Sequence, residues 1–287
     1  MAISEAQLNT WSHQGPTTSS SITYESIRYA LRPEVMPSDI EFDIYLQGSY
    51  KNNTNTRGDS DVDIVVELTS SFWSNLNDIQ KKSLGITPSN YGWDLFRSDV
   101  ISALTSQYGP FVKPGNKCIN IDPSSGRIPA DIVVSIQYRW YDADLSLEPI
   151  NGIAIKPQNK SDLIISYPKI HYDKCVDKNE RTGEWFKRTV RLFKNIRNYL
   201  SDNNEMDIKA VPSYLLESLL FNVPDSQFGN TFQHTFCNTV NWLYTSELTI
   251  CTFPSLRGPI CGNGPEQWHI DQAKGFVNKL IEFWNSN

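Results

Sequence analysis

The sequence predicts an α+β fold, with a mixed sheet in the first part of the chain and helices in the second. Three observations carry that expectation. Residues 41–47 and 62–68 alternate apolar and polar side chains with the period of two that marks a half-buried strand. Residues 128–138 form an apolar, β-branched run after the turn residues Pro123-Ser124-Ser125-Gly126. From Gly183 the apolar spacing becomes helical: Phe186, Val190, Phe193, Ile196 and Leu200 share one stripe at 100° per residue.

The elements follow in order. Ser4 and Gln7 fit a capping box, with Ile3 and Leu8 as a hydrophobic staple, so a short helix is expected to about Ser12. Residues 14–20 read as a turn-rich linker. A second helix over 22–31 stops ahead of Pro33. The strand at 41–47 places Phe42, Ile44 and Leu46 on one face and ends at Gly48-Ser49; the loop 51–58 leads to the strand at 62–68. Helices are expected over 72–83 and 93–108, then paired strands at 117–122 and 128–138. Residues 142–174, rich in Pro, Asn and Asp, read as loop and short strand. Helices over 184–200, 211–222 and 265–284 complete the chain. The domain expectation is a catalytic lobe over 21–175, with residues 1–20 packing on it, and a helical lobe over 176–287.

Composition narrows the function. The 287 residues are 39% hydrophobic and 20% charged, as in an ordinary globular protein, and no apolar run reaches membrane-spanning length. The opening MAISEAQLNTW lacks the basic and apolar regions of a signal peptide, so a cytoplasmic location is expected. Five widely spaced cysteines read as free thiols. Cys251, Cys261 and His269 are read as core or surface residues rather than a zinc site. A formal charge of −6 with no Lys/Arg block disfavours a long nucleic acid as obligatory partner.

The chemistry centres on residues 46–68. In a strand, Val62, Ile64, Val66 and Leu68 point into a core, while Asp61 and Asp63 point the other way, about 7 Å apart. Paired carboxylates repel unless a cation lies between them, and a hard divalent ion such as Mg²⁺ takes oxygen ligands. Asp59 shares their parity but sits at the loop edge, flanked by serine rather than by an apolar residue. Gly48 allows close approach to the backbone and Ser49 adds a hydroxyl, a pairing suited to phosphate. Asp131 opens an apolar strand: it either caps a turn or supplies a third acid. Lys187, Arg191 and Lys194 align at i, i+4 and i+7, as a solvated basic face or as partners for a triphosphate. Ser213, after Pro212 at a helix start, and Tyr214 serve either capping and packing, or anion binding and base stacking.

Strand, Gly-Ser, turn, then a strand with Asp-x-Asp is similar to the DNA polymerase β-like nucleotidyltransferases. GSYKNNTNTRGDSDVDIVVEL at 48–68, PADIVVSI at 129–136, WFKRTVRLFKNIRN at 185–198 and PSYLLESLLFNVP at 212–224 together resemble the bacterial cGAS/DncV-like nucleotidyltransferases, or CD-NTases, in particular the E-clade enzymes of CBASS anti-phage systems. The resemblance runs from about Ser21 to the C-terminus. It implies a bilobed polymerase β-like fold with a nucleotide cleft between the lobes. Asp61, Asp63 and Asp131 would hold two Mg²⁺ ions, with Mn²⁺ as a substitute. Gly48 and Ser49 would hold the donor triphosphate, and Lys194, with Arg191 and Lys187, its outer phosphates. Ser213 would add a phosphate contact and Tyr214 a stacking face. Ser166, in the matching stretch 165–171, would read a base, tilted toward adenine. The implied activity joins ATP, with UTP or GTP, into a cyclic dinucleotide containing adenine that acts on a downstream effector. The implied enzyme is a monomer without obligatory nucleic acid or membrane. A nucleotidyltransferase modifying an RNA, protein or small molecule is the alternative, and an inactive nucleotide-binding module a further one.

Overall fold

The computed structural model describes residues 3–57, 61–255, 257–264 and 267–286. In chain order the elements are α1 (Glu5–Ser12), α2 (Thr18–Ala30), β1 (Phe42–Leu46), α3 (Gly48–Asn52), β2 (Val62–Ser74), α4 (Asp78–Ser83) and α5 (Trp93–Tyr108). There follow β3 (Val112–Pro114), β4 (Ile119–Ile121), β5 (Ala130–Trp140), β6 (Ile150–Ile155) and β7 (Ile164–Ser166). The helices α6 (Pro168–Arg181), α7 (Trp185–Asp202), α8 (Ser213–Asn222), α9 (Phe232–Thr245) and α10 (Ile270–Ser286) complete the chain.

Two compact units emerge. One comprises Thr17–Tyr50 and Ser60–Pro168; the other comprises Met1–Pro16, Lys51–Asp59 and Lys169–Asn287. The first holds the sheet, ordered β1-β2-β5-β4-β3, with β6 on the far end of β5 and β7 beside β6. Only β2 and β5 run parallel among these pairs; the others are antiparallel. The alternation expected in β2 is present. Val62, Ile64, Val66 and Leu68 are buried against α2 and α5, through Ile27, Leu31, Phe96, Val100 and Leu104. Trp93 satisfies its indole by donating to Val134 O at 3.0 Å, which ties the start of α5 to β5. The opposite face carries a smaller cluster of Val65, Val133 and Ile153.

Two local expectations are corrected. Residues 72–74 continue β2, past an irregularity between Leu68 and Phe72, and pair with Gln137, Tyr138 and Arg139. Phe72, Leu76 and Ile79 share helical spacing, but Ile79 is 82% exposed and only Asp78–Ser83 is helical. Within residues 142–174 the expected short strands form as β6 and β7, but the stretch ends in helix: α6 begins at Pro168, whose fixed φ suits a first helical turn. The expected start of the last helix at Pro265 lies outside the described residues, as does Asp59.

The second unit is built on α7. Its stripe Phe186, Val190, Phe193, Ile196 and Leu200 is buried among α8, α9 and α10. Residues 1–16 group here, and the chain enters the sheet unit from Thr17. The reason is apolar and polar fit together. Leu8 joins the helical core, Trp11 packs on Tyr199 and Phe283, and Asn195 donates to Trp11 O. Glu5 adds a second helix cap: its carboxylate accepts from Phe232 N at 2.6 Å and Gln233 N at 2.9 Å, the otherwise unpaired first amides of α9. Among the described residues no helix is long and apolar enough to cross a membrane. Glu5→Ala is expected to cost about 1–2 kcal/mol, the range for a lost helix cap, read as a lower midpoint in urea unfolding.

Candidate active site

Parallel pairing of β2 with β5 decides where the acids stand. In the ladder Asp63 is the Cα partner of Asp131, and Asn120 of β4 is the antiparallel partner of Asp131 on its other side. Three polar residues therefore occupy one row across three strands, on the face away from α2 and α5. Asn120 Nδ2 donates to Asp131 Oδ1 at 2.5 Å, which fixes the rotamer of that carboxylate and occupies one of its oxygens. Asp61 precedes β2 by one residue and is exposed; Asp63 and Asp131 are half-buried. Sequence parity brought Asp61 and Asp63 to one side, but Asn120 was missed. Its signal was the alternation Ile119-Asn120-Ile121, in which both isoleucines are buried and the asparagine faces the acids.

Cys118 reports the local field. Burial pushes its thiol up to about 11, and Asp131, with a smaller effect from Asp63, adds to the rise. Two carboxylates thus act on the same half-buried sulfur. Their donor set is oxygen throughout, the kind a hard divalent cation takes, and Asn120 holds Asp131 as an outer partner holds a metal ligand. The residues fit a divalent ion on that chemistry. They are not the tightest potential ligand group: among the described residues, His171, Cys175 and Glu217 bring three ligand atoms within 4.8 Å of one another.

Gly48 closes the other side of Asp63. Its φ is +64°, and a Cβ built there would lie 2.3 Å from Asp63 Oδ2. Gln47 N donates to Asp63 O at 2.9 Å, so backbone and side chain of Asp63 are both bounded by the turn. Ser49 follows within α3. Ser166 closes β7 as the partner of Ile153, half-buried. Beside it Gly152 leaves room that a side chain would take: its Cβ would meet Ser166 O at 2.7 Å and the Tyr167 ring at 2.8 Å.

In the second unit the aligned cations do not form a solvated face. Lys194 is 1% exposed and donates to Thr54 O at 3.0 Å; Lys187 is buried with its Nζ 5.5 Å from the Tyr172 ring centroid. Arg191 donates to Ser12 O and Asn53 O. Burial lowers the pKa of both Lys187 and Arg191, with nearby Arg188 adding to the effect at Arg191. Ser213 opens α8 and its Oγ accepts from Arg197 Nη1 at 3.1 Å. Tyr214, 42% exposed, stacks on His171 and Phe253 with centroids 5.2 and 5.5 Å apart.

Comparison with known proteins adds the following. Residues 173–285 match the cGAS/DncV-like nucleotidyltransferase C-terminal helical domain, and residues 34–86 match the nucleotidyltransferase domain. The chain is 44% identical to a cyclic UMP-AMP synthase of Rhodothermus marinus, covering 99% of this chain and 98% of the relative. It is 35% identical to the cyclic nucleotide synthase CdnE01 of Staphylococcus haemolyticus, covering 99% of both. Among solved structures, the Rhodothermus marinus CdnE c-UMP-AMP synthase with Apcpp and Upnpp matches with a TM-score of 0.95 and 42% identity over 99% of this chain and 97% of that one.

The turn before Asp63 yields a direct test. Gly48→Ala is expected to destabilise by about 1–2 kcal/mol from its left-handed backbone alone, with a further loss from collision with the carboxylate. An unchanged urea midpoint would contradict the close approach.

Proposed function

The chain belongs to the cGAS/DncV-like nucleotidyltransferases, and from that premise we propose that it joins ATP with a second ribonucleoside triphosphate into a cyclic dinucleotide containing adenine. It is a nucleotidyltransferase of the cyclic nucleotide synthase kind, and its product serves as a messenger. The observation that carries the reading is the row Asp63–Asp131–Asn120 with Gly48 pressed against Asp63. The proposed setting is anti-phage CBASS signalling in the cytoplasm, with the monomer acting on an effector through its product.

Asp61, Asp63 and Asp131 are proposed to hold two Mg²⁺ ions, with Mn²⁺ as substitute. When bound, the ions neutralise phosphate charge and make the acceptor ribose hydroxyl more acidic. Asp131 is proposed to take the hydroxyl proton. Asn120 holds that carboxylate in place by engaging one of its oxygens. Each transfer forms one bond from ribose oxygen to an α-phosphorus and breaks the bond to the departing pyrophosphate. The first yields a linear dinucleotide triphosphate, and the second closes the ring.

The remaining residues are proposed to bind and orient. Gly48 and Ser49 take the donor triphosphate through the backbone amides of the turn and the Ser49 hydroxyl. Lys194, Arg191 and Lys187 supply positive charge toward its outer phosphates, and Ser213 a hydroxyl. Tyr214 is proposed as a stacking face, on the strength of its exposed ring backed by other aromatics. Ser166 reads the base, with adenine favoured and UTP or GTP as the second substrate.

Incubation with all four ribonucleoside triphosphates and Mg²⁺, followed by mass spectrometry, should give a nuclease-resistant cyclic product containing adenine and none with EDTA. Asp61→Asn and Asp63→Asn should each lower turnover by about a hundredfold or more while retaining the fold by circular dichroism. Near-normal turnover in either would remove the metal assignment. Asn120→Ala should raise the Mg²⁺ concentration for half-maximal rate by about 10–100-fold, because Asp131 loses its orienting partner.

A further inference from the structure

The second unit contains a buried carboxylate that the proposed chemistry does not use. Glu217, on α8, is 6% exposed and sits where five groups converge. Its Oε1 accepts from Asn52 Nδ2 at 2.7 Å, His171 Nε2 at 2.8 Å and Cys175 Sγ at 3.4 Å, and its Oε2 accepts from Thr54 Oγ1 at 3.1 Å. Lys194, whose Nζ is bound to Thr54 O, contributes a positive charge. Burial alone would raise the carboxyl, but the His171 hydrogen bond and charge, followed by Lys194, outweigh it and hold it below the usual carboxylate range. A charged acid with this many donors is held in one position.

What it holds is informative. Asn52, Thr54, Asn55 and Thr56 are all at most 4% exposed, which is unusual for a polar loop. The same stretch receives Arg191 at Asn53 O and Lys194 at Thr54 O, while Asn55 Nδ2 donates to Gly15 O at 3.1 Å. In the chain this stretch follows Gly48-Ser49 directly and leads to Asp61 and Asp63. On its second side Glu217 holds His171, whose ring stacks on Tyr214. One carboxylate therefore anchors both the connector between the glycine-serine turn and the acids and the ring that backs Tyr214.

We propose that Glu217 is a positioning residue for nucleotidyl transfer, setting the connector through Asn52 and Thr54 and the Tyr214 stacking face through His171. This rests on the function proposed above. A metal site at His171, Cys175 and Glu217 explains the geometry less well. Oε1 already accepts three hydrogen bonds, and the nearby Lys178, Lys187 and Lys194 repel a cation.

Two readouts on full-length protein test this. In hydrogen exchange, Glu217→Gln and the milder Asn52→Ala should speed exchange of peptides spanning 51–57 by about tenfold or more, with α10 unchanged. In product formation well below the melting temperature, both should lower kcat by about 10–100-fold, and Glu217→Gln should also raise KM for ATP. Val240→Ala, a buried control on α9 lowering the melting temperature, should leave kcat and exchange at 51–57 unchanged. Unaltered exchange at 51–57 in both variants overturns the proposal, as does kcat within twofold of wild type or a stoichiometric transition metal in the purified chain. Absence of product from wild type would instead overturn the proposed function, and exchange would still decide the role of Glu217.

Discussion

The site depends on one rung of one parallel strand pair. Because β2 and β5 run in the same direction and in register, Asp63 and Asp131 are forced side by side across the ladder. A slip of one residue would turn either acid into the apolar layer and bring an isoleucine or a valine to the polar face. The register is protected by the opposite face, where alternate residues of both strands are buried under α2 and α5. Hydrophobic burial on one side of the sheet therefore sustains an unfavourable pairing of like charges on the other. The paired carboxylates add to the rise that burial imposes on the Cys118 thiol, and a pair of like charges suits the capture of a cation.

The turn at Gly48 and the hydrogen bond from Asn120 limit the freedom of those acids in different ways. Gly48 bounds Asp63 by removing a side chain, so the backbone itself forms the wall. Asn120 bounds Asp131 by attraction, engaging one of its oxygens. Steric and polar restraint act on neighbouring carboxylates without adding positive charge that would compete with an ion. This arrangement meets a common requirement of metal sites, in which ligand orientation is set by groups one layer out.

Much of this was legible in the sequence because it is periodic or local. The alternation in 62–68 gave the buried face of β2 and the polar parity of Asp61 and Asp63, and the stripe from Phe186 to Leu200 gave the core of α7. Asp131 was ambiguous because its meaning comes from the neighbouring strand, and pairing is not encoded in either strand alone. The helix expected from Phe72 failed for a related reason: aromatic residues such as Phe72 and Trp73 also suit a sheet, and the partner strand decided. The burial of Asn52 and Thr54 was illegible. Their acceptor, Glu217, lies more than 160 residues away in the chain, and a polar run reads as solvated loop until that acceptor is in place.

The buried cations of α7 follow from the same long-range logic. An isolated ammonium group inside a helical core would be costly, and burial does lower the pKa of Lys187. The unit tolerates such groups because it sets partners beside them: the carbonyls of Asn53 and Thr54 accept from Arg191 and Lys194, and the Glu217 carboxylate adds its negative charge near Lys194 and Lys187. The carbonyls lie on the connector and the carboxylate on α8, so Lys194 and the buried Thr54 stabilise one another's positions. Removing a partner from either side leaves a polar group without compensation, which is more costly than the hydrogen bond itself. The burial of the connector residues Asn52 and Thr54 is thus set by partners on α7 and α8 of the second unit, not by the polar run itself.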